Sequence, residues 1–317
     1  MALITKKMAR LVVVVLAVSA ITFLMLNTLP GDVAYVVGGE QASAEDVRAI
    51  RHDLGLDRHL GLRYLAWLGR VAVGNLGQSY VSYEPVSQAI LARLPVTIEL
   101  IFISQIMALV LAIPAGIACA HTSPSILDRG VTATAFASLS VPSFVMALLL
   151  IFLFALKLDW LPATGFRPLS EGLAENLQSL LLPAFSIALI EWVPLMRVLR
   201  SDMIQTLKED FILMARAKGM PTWRILLRDA LKPSSLTLVT ILGLQIGHWI
   251  GAAVVIENIF ALPGIGSLLV TSIFARDYLM VQGCVLLITV AYVVINMLVD
   301  MLYAMLDPRI RREGTHG

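Results

Sequence analysis

The stretch EDFILMARAKGMPTWRILLRDALKP, Glu209 to Pro233, decides how the rest of the chain is read. It lies in a polar insert from Ser201 to Lys232 that carries Arg216, Lys218, Arg224, Arg228 and Lys232 against Glu209, Asp210 and Asp229. Long apolar segments flank the insert on both sides. Met203, Leu207, Phe211 and Met214 or Ala215 recur at helical spacing, with Gln205, Lys208, Glu209 and Lys218 facing elsewhere and Asp202 placed to cap the start. Gly219 ends that helix well, because glycine accepts a left-handed backbone without a side-chain clash. Pro221 suits the first turn of a second short helix, with Trp223, Leu226, Leu227 and Ala230 as its apolar stripe. The spacing therefore predicts two short helices in an L or a hairpin, joined at Gly219-Met220-Pro221. Two readings of such an element stand side by side. It rests on lipid as a basic amphipathic helix, or it packs into a protein cleft, which the small surface of Ala215, Ala217 and Gly219 favours.

The flanks are membrane. The chain has 317 residues, 58% of them apolar, a mean hydropathy of +0.83 and only 15% charged residues. Soluble domains carry roughly a quarter charged residues, and here the apolar residues come in runs, the pattern of an all-α polytopic membrane protein. Six spans are expected, at 8–29, 96–120, 131–156, 180–199, 236–256 and 280–306. Pro114 and Pro142 sit inside the second and third and are expected to bend them. The fourth is interrupted by Glu191, Pro194 and Arg197, so unwound carbonyls are expected there. The first span is read as retained, since its apolar run is long for a signal peptide and no clean small-x-small cleavage site follows it.

Between the first two spans, residues 30–95 hold six arginines and seven acidic residues and read as a cap carrying one or two short helices. Ala44 to His52 is expected to be helical, with Ser43 as N-cap and Asp46 three residues on. Leu60 to Val73 is amphipathic, with Leu65, Leu68 and Val71 or Ala72 on one side, and suits a membrane surface. The charges give an orientation. If the N-terminus, residues 121–130, residues 197–232 and the C-terminal tail are cytoplasmic, they hold 15 of the 24 basic residues but 7 of the 22 acidic ones. That satisfies the positive-inside rule, with both termini in the cytoplasm and residues 30–95 outside.

Several chemistries are excluded by what is missing. No Gly-Lys pair occurs, so there is no phosphate loop of the GxxxxGK[ST] kind, and no HExxH, CxxC or Ser-His-Asp set is present. No basic domain offers a footing for nucleic acid. No catalytic residue and no metal site is assigned. Cys119 and Cys284 allow one disulfide by counting, but both lie in or beside apolar spans, where small buried thiols are the simpler reading.

The quoted stretch resembles the cytoplasmic coupling loop of ABC-importer permeases, and more narrowly that of the dipeptide/oligopeptide branch, where Y/F-I-x-x-A-R-A-K-G is usual. The resemblance runs through the whole chain. It includes LPGD (29–32), LGLD (54–57), GNLGQSY (74–80), RLPVTIEL (93–100), GLQIG (243–247), VVIENIFALPGIGSLL (254–269), ARDYLMVQG (275–283) and NMLVDMLYAMLDPRIR (296–311). It implies the type I importer-permease fold: an N-terminal span (1–29), an extracytoplasmic cap (30–95), a core of five spans (96–306) with coupling helices in 201–235, and a cytoplasmic tail (307–317). It implies a non-catalytic permease in a bacterial plasma membrane. The partners would be a second homologous permease, one or two kinds of ATP-binding subunit that hold ATP and Mg2+, a peptide-binding protein outside, and the lipid bilayer. Asp210, Phe211, Ala215, Arg216, Ala217, Lys218, Gly219 and Trp223 would couple to the ATPase. Asp229 and Lys232 depart from the family's usual histidine and arginine, which removes any assignment of particular salt bridges. Importers for nickel, glutathione or another small solute are the alternative, and an ion-coupled secondary transporter is the more distant one.

Charges inside a bilayer usually face a cavity or pair with each other. Glu191, Arg197, His248 and Glu257 are candidates for a substrate path, while Glu99, Glu257 and Asp300 are equally readable as pairing groups that hold the fold. Gly243, Gly247 and Gly251, spaced by four, permit close helix approach, either within the chain or at a seam with a second permease.

Overall fold

The computed structural model describes residues 2–28, 33–39, 42–53 and 55–306. The tail from residue 307 and the LPGD motif lie outside the described residues, as do the side chains of Gly247, His248 and Asp300.

Thirteen α-helices follow one another among the described residues: α1 (Ala2–Thr28), α2 (Val33–Gly38), α3 (Ala44–Asp53), α4 (Leu60–Ala72), α5 (Val86–His121), α6 (Ile126–Ser140), α7 (Ser143–Leu150), α8 (Leu173–Thr206), α9 (Asp210–Ala217), α10 (Thr222–Arg224), α11 (Leu231–Ile259), α12 (Ile265–Phe274) and α13 (Tyr278–Leu306). A π-helical turn, Ile151–Lys157, extends α7, and another, Ile225–Ala230, joins α10 to α11. Among the described residues four helices are long and apolar enough to cross a bilayer, and up to six spans result if each of two bent helix pairs is one span. The bends are 102° between Ile126–Ser140 and Ser143–Lys157, and 59° between Thr222–Gln245 and Trp249–Ile259.

Proline acts differently at different places. At Pro142 the span breaks outright: Val141 is extended at φ −98°, ψ 122°, as the residue before a proline prefers, and Pro142 sits just ahead of α7. Pro114 lies inside α5, which runs unbroken for 36 residues. The unwinding expected at Pro194 does not occur, since α8 is one helix of 34 residues through both Pro183 and Pro194. Burial explains the tolerance. Val193, Leu195 and Met196 around Pro194 are fully enclosed, and packing within a bundle supports a helix that has lost a bond.

The chain divides into two compact units, Met1–Thr97 with Pro263–Val294, and Ile98–Leu262 with Ile295–Gly317. In the first, Asp277 links two of the quoted motifs. Its carboxylate accepts from the Ser79 hydroxyl and from the amides of Tyr80 and Met280, the last two at 3.4 and 3.3 Å. It thereby caps the start of α13 and fixes the turn around Tyr80. Gly77 (φ +89°) and Gly283 are small for packing reasons. A β-carbon on Gly77 would stand 3.1 Å from Leu279, and one on Gly283 would stand 2.4 Å from Val86. The Ile265 amide donates to Thr97 Oγ1 at 2.9 Å, which caps α12. In the cap region the expected box is present: Ser43 N donates to Asp46 Oδ2 at 3.0 Å and Asp46 N to Ser43 Oγ at 3.2 Å. The Ser43 hydroxyl, which donates to Asp46 Oδ2 at 2.7 Å, and then the Ser43 amide hold the Asp46 carboxyl below its ordinary range. The cap therefore contributes above that range and is lost as pH falls through the lowered value. On α4 the expected side is met at Leu68 and Val71 and missed at Leu65. Trp67 is buried with Tyr64, Leu68 and Val71 against it, while Leu65 points outward.

In the second unit α8 is the central post, packed against α6, α7 and α11. Arg200 on α8 holds Asp128 on α6 with two bonds, Nε to Oδ1 at 2.6 Å and an η nitrogen to Oδ2 at 2.7 Å, and reaches Ser123 Oγ at 3.2 Å. Asp128→Ala strands this guanidinium. With Arg200 30% exposed, the expected loss is on the order of 1–2 kcal/mol, seen as a lower melting temperature in detergent. Asp128→Glu should retain most of the stability. Wild-type melting of Asp128→Ala would remove the structural role of this pair.

Candidate functional site

The polar insert folds differently in detail from the sequence expectation. α8 continues to Thr206, so Asp202 lies inside its last turns and cannot cap a new helix. After a turn through Leu207 and Lys208, Glu209 is extended (ψ 149°) and α9 begins at Asp210. Gly219 then takes φ +73° and ends the segment, with its amide donating to Arg216 O and the Met220 amide to Ala215 O. The second short helix is not separate. From Thr222 the chain is helical through the π turn into α11, so the elbow at Gly219 joins α9 directly to a membrane span.

The break at residues 207–209 also rotates the apolar stripe. Ile212 and Ala215, three residues apart, turn into the core of their unit with Met203, Leu199, Ile225 and Ala230. Phe211, Leu213 and Met214 are outside, exposed by 49, 52 and 58%. Trp223 and Leu227 are exposed likewise, and Arg216, Ala217, Lys218 and Gly219 complete an open polar and small surface. Ala215 is thus turned inward, at 8% exposure, while Asp210, Phe211 and Ala217 to Gly219 stand open. The Thr206 and Ser234 hydroxyls meet at 3.2 Å across the base of the loop and tie α8 to the start of α11.

The candidates for a path through the membrane separate from one another. Arg197 is exposed and stacks over the Phe136 ring at 5.1 Å, with no tie to Glu191. Glu191 is buried in α8 with Oε2 unpartnered, and its polar neighbour is Gln105 on α5. Gln105 itself has neither amide atom in a hydrogen bond. Gln245 Oε1 on α11 is buried and unpartnered as well. Buried polar atoms without partners are rare and costly, and three helices of one unit contribute them. The sequence reading missed both glutamines because it searched for charge, although an amide inside an apolar run was signal enough. Glu99 accepts from Asn176 Nδ2 at 3.0 Å and is a fold-holding group. Glu257 is fully buried at the end of α11, and its carbonyl accepts from the Leu262 amide at 2.8 Å. His248 lies outside the described side chains. Gly243 serves intrachain packing, since a β-carbon there would stand 2.4 Å from Val299 on α13, whereas Gly251 meets nothing within 4 Å. Both cysteines are free and buried. Among the described residues no three His, Cys, Asp or Glu side chains form a metal-holding group.

An all-helical, multi-pass membrane chain with an exposed amphipathic elbow between two spans is the class of protein that these features define. Residues 112–312 match the family described as binding-protein-dependent transport system inner membrane component, and residues 1–101 match the description of its N-terminal part. The chain belongs to this family of ABC-transporter permeases. It is 41% identical over 310 residues to a putative peptide transport system permease protein of Brucella abortus, covering 98% of this chain and 99% of that one. An oligopeptide transport system permease protein of Bacillus subtilis is 37% identical over 300 residues, with 94 and 95% covered. A glutathione transport system permease protein of Salmonella choleraesuis is 34% identical over 306 residues, with 96 and 97% covered. The fold resembles a solved structure entitled as an amino acid ABC transporter with histidines, at TM-score 0.50 and 12% identity over 69% of this chain and 94% of that one.

The inward and outward faces of α9 predict opposite behaviour for adjacent residues. Ile212→Asp places a charge in the core and should cost about 3 kcal/mol or more, while Phe211→Asp should stay within about 0.5 kcal/mol. Thermal unfolding of the two variants in detergent is the check, and equal melting would mean that the faces are misassigned.

Proposed function

We propose that this chain is the transmembrane permease subunit of an ATP-driven importer for dipeptides or oligopeptides. The observation that carries the proposal is the apolar face of α9, Phe211, Leu213 and Met214, left open beside Gly219 and Trp223 on an otherwise charged segment. Large exposed apolar groups ringed by charge mark a protein partner. The occupant is the ATP-binding subunit, of one or two kinds, which carries ATP and Mg2+. A β-carbon on Gly219 would meet nothing within 4 Å in this chain, so the space at the elbow is free for that partner.

Both termini and the elbow are cytoplasmic in this reading, residues 30–95 form the outer cap, and a second homologous permease completes the pathway. A binding protein delivers the peptide to the cap. Closure of the ATPase pair moves the elbow, and because the chain is helical from Thr222 to Gln245, ahead of the 59° bend, the motion passes into the first part of α11. The coupling requires that the ATPase contact the two states of the permease differently. Glu191 and Gln105 serve the path, where a peptide's amides match a buried carboxyl group with one idle oxygen and an idle carboxamide. The names of the Brucella and Bacillus relatives support peptides as cargo. The glutathione relative keeps the cargo within the same chemical class, since glutathione is a tripeptide.

The test is coexpression of the permease pair with its ATP-binding subunits. Phe211→Asp/Met214→Asp should weaken copurification of the ATPase at least about tenfold and abolish peptide-dependent ATP hydrolysis, with the permease still present in the membrane at wild-type level. Full assembly and uptake in that variant would contradict the docking role.

A further inference from the structure

The first unit contains a cavity of about 650 Å3 that the transport reading does not use. Arg58, Arg63 and Arg70 line it against a single carboxylate, Asp53. Among the described residues none of the three guanidiniums is bonded to an acid, and Arg63 lies over the Phe23 ring at 5.8 Å. Burial holds Arg63 below its ordinary pKa and pushes Tyr80, also on the wall, above its own. Two more lining residues are almost wholly enclosed, Trp67 at 3% and Gln282 at 5% exposure. Trp67 Nε1, a donor, and Gln282 Oε1, an acceptor, have no partner. A pocket with surplus guanidinium, one idle N–H and one idle carbonyl asks for an anionic oxygen group that also carries a hydroxyl.

The depth of the cavity selects the source of that group. Phe23 and Asn27 line it, and they lie in the last turns of the apolar window Leu11–Thr28. The end of such a window is where headgroups lie. Beside them Ile21, Leu24 and Met25 on α1 and Leu62 and Leu65 on α4 are exposed apolar groups, a surface suited to acyl chains. Aromatic side chains cluster here too, with Tyr64 against both Phe23 and Trp67, as at membrane interfaces.

We propose that this cavity binds the headgroup of an anionic phospholipid, with the phosphodiester on the arginines and Trp67 and a headgroup hydroxyl donating to Gln282. The lipid lies in the leaflet reached by the C-terminal end of α1. It braces α1 and α4 against the start of α13, the helices whose residues form the walls. The site does not depend on which peptide the importer carries.

The test uses the purified full chain with its permease partner, delipidated in neutral detergent, and native mass spectrometry with added lipids. Wild type should retain phosphatidylglycerol in preference to phosphatidylcholine. Arg63→Gln/Arg70→Gln should lower phosphatidylglycerol retention about tenfold or more. Arg63→Lys/Arg70→Lys, which keeps the charge, should keep the preference for the anionic lipid. Brominated phosphatidylglycerol should quench tryptophan emission in wild type and much less in Trp67→Phe. Equal retention of the two lipids, undiminished retention in the glutamine variant, or loss of the preference in the lysine variant would overturn the proposal. So would displacement of the lipid by inorganic phosphate or dialanine at similar concentration, which would make the site one for soluble anions.

Discussion

A peptide group inside hydrocarbon has no water to bond to, and nearly everything in this chain follows from that. The spans are helical because only a helix satisfies its own backbone within one segment. Where a helix starts, polar side chains accept from its first free amides. Asp277 does so at the start of α13, Thr97 at the start of α12, and Ser125 at the start of α6. Asn176 binds both Glu99 and the Arg167 carbonyl where the chain returns into α8. The motifs spread along the sequence are largely these ties and the glycines that let helices meet around them.

The same constraint leaves few places where the chain can address a soluble protein. The stretch between α8 and α11 is one, and its architecture is stiff. Ile212 and Ala215 anchor α9 in the core that also holds Leu199 and Met203 of α8 and Ile225 and Ala230 near α11. The outer face of α9 is open while its inner face is locked to two spans. An object gripping the outer face therefore moves the spans, not merely a loop. A flexible linker between α9 and α11 would lose this property, and the helical run from Thr222 removes any such linker.

Much of this could be read in the residues, and the misses have physical causes. The Ser43 and Asp46 box, the start of α4 and the glycine elbow are local features with short-range signals, and they were legible. Pro142 and Pro194 look alike in sequence, but only the first breaks its helix, because enclosure by neighbouring helices decides the outcome. The stripe of Met203, Leu207, Phe211 and Met214 or Ala215 runs through a turn at 207–209, so Met203 and Ala215 lie in the core while Phe211 and Met214 stand outside. Periodicity cannot carry phase across a break. The Arg200 to Asp128 pair, 72 residues apart in sequence, had no local signal. Gln105 was passed over because amides are less conspicuous than charges.

The central claim is that the outer face of α9 is a cytoplasmic grip for an ATP-binding subunit. The most direct measurement is thiol labelling of single cysteines at Phe211 and Met214 with a membrane-impermeant reagent, the two native cysteines being buried. The account predicts labelling in inside-out vesicles and not in intact cells, with strong protection once the ATP-binding subunit is bound. Labelling from outside the cell, or undiminished labelling in the assembled complex, would contradict it.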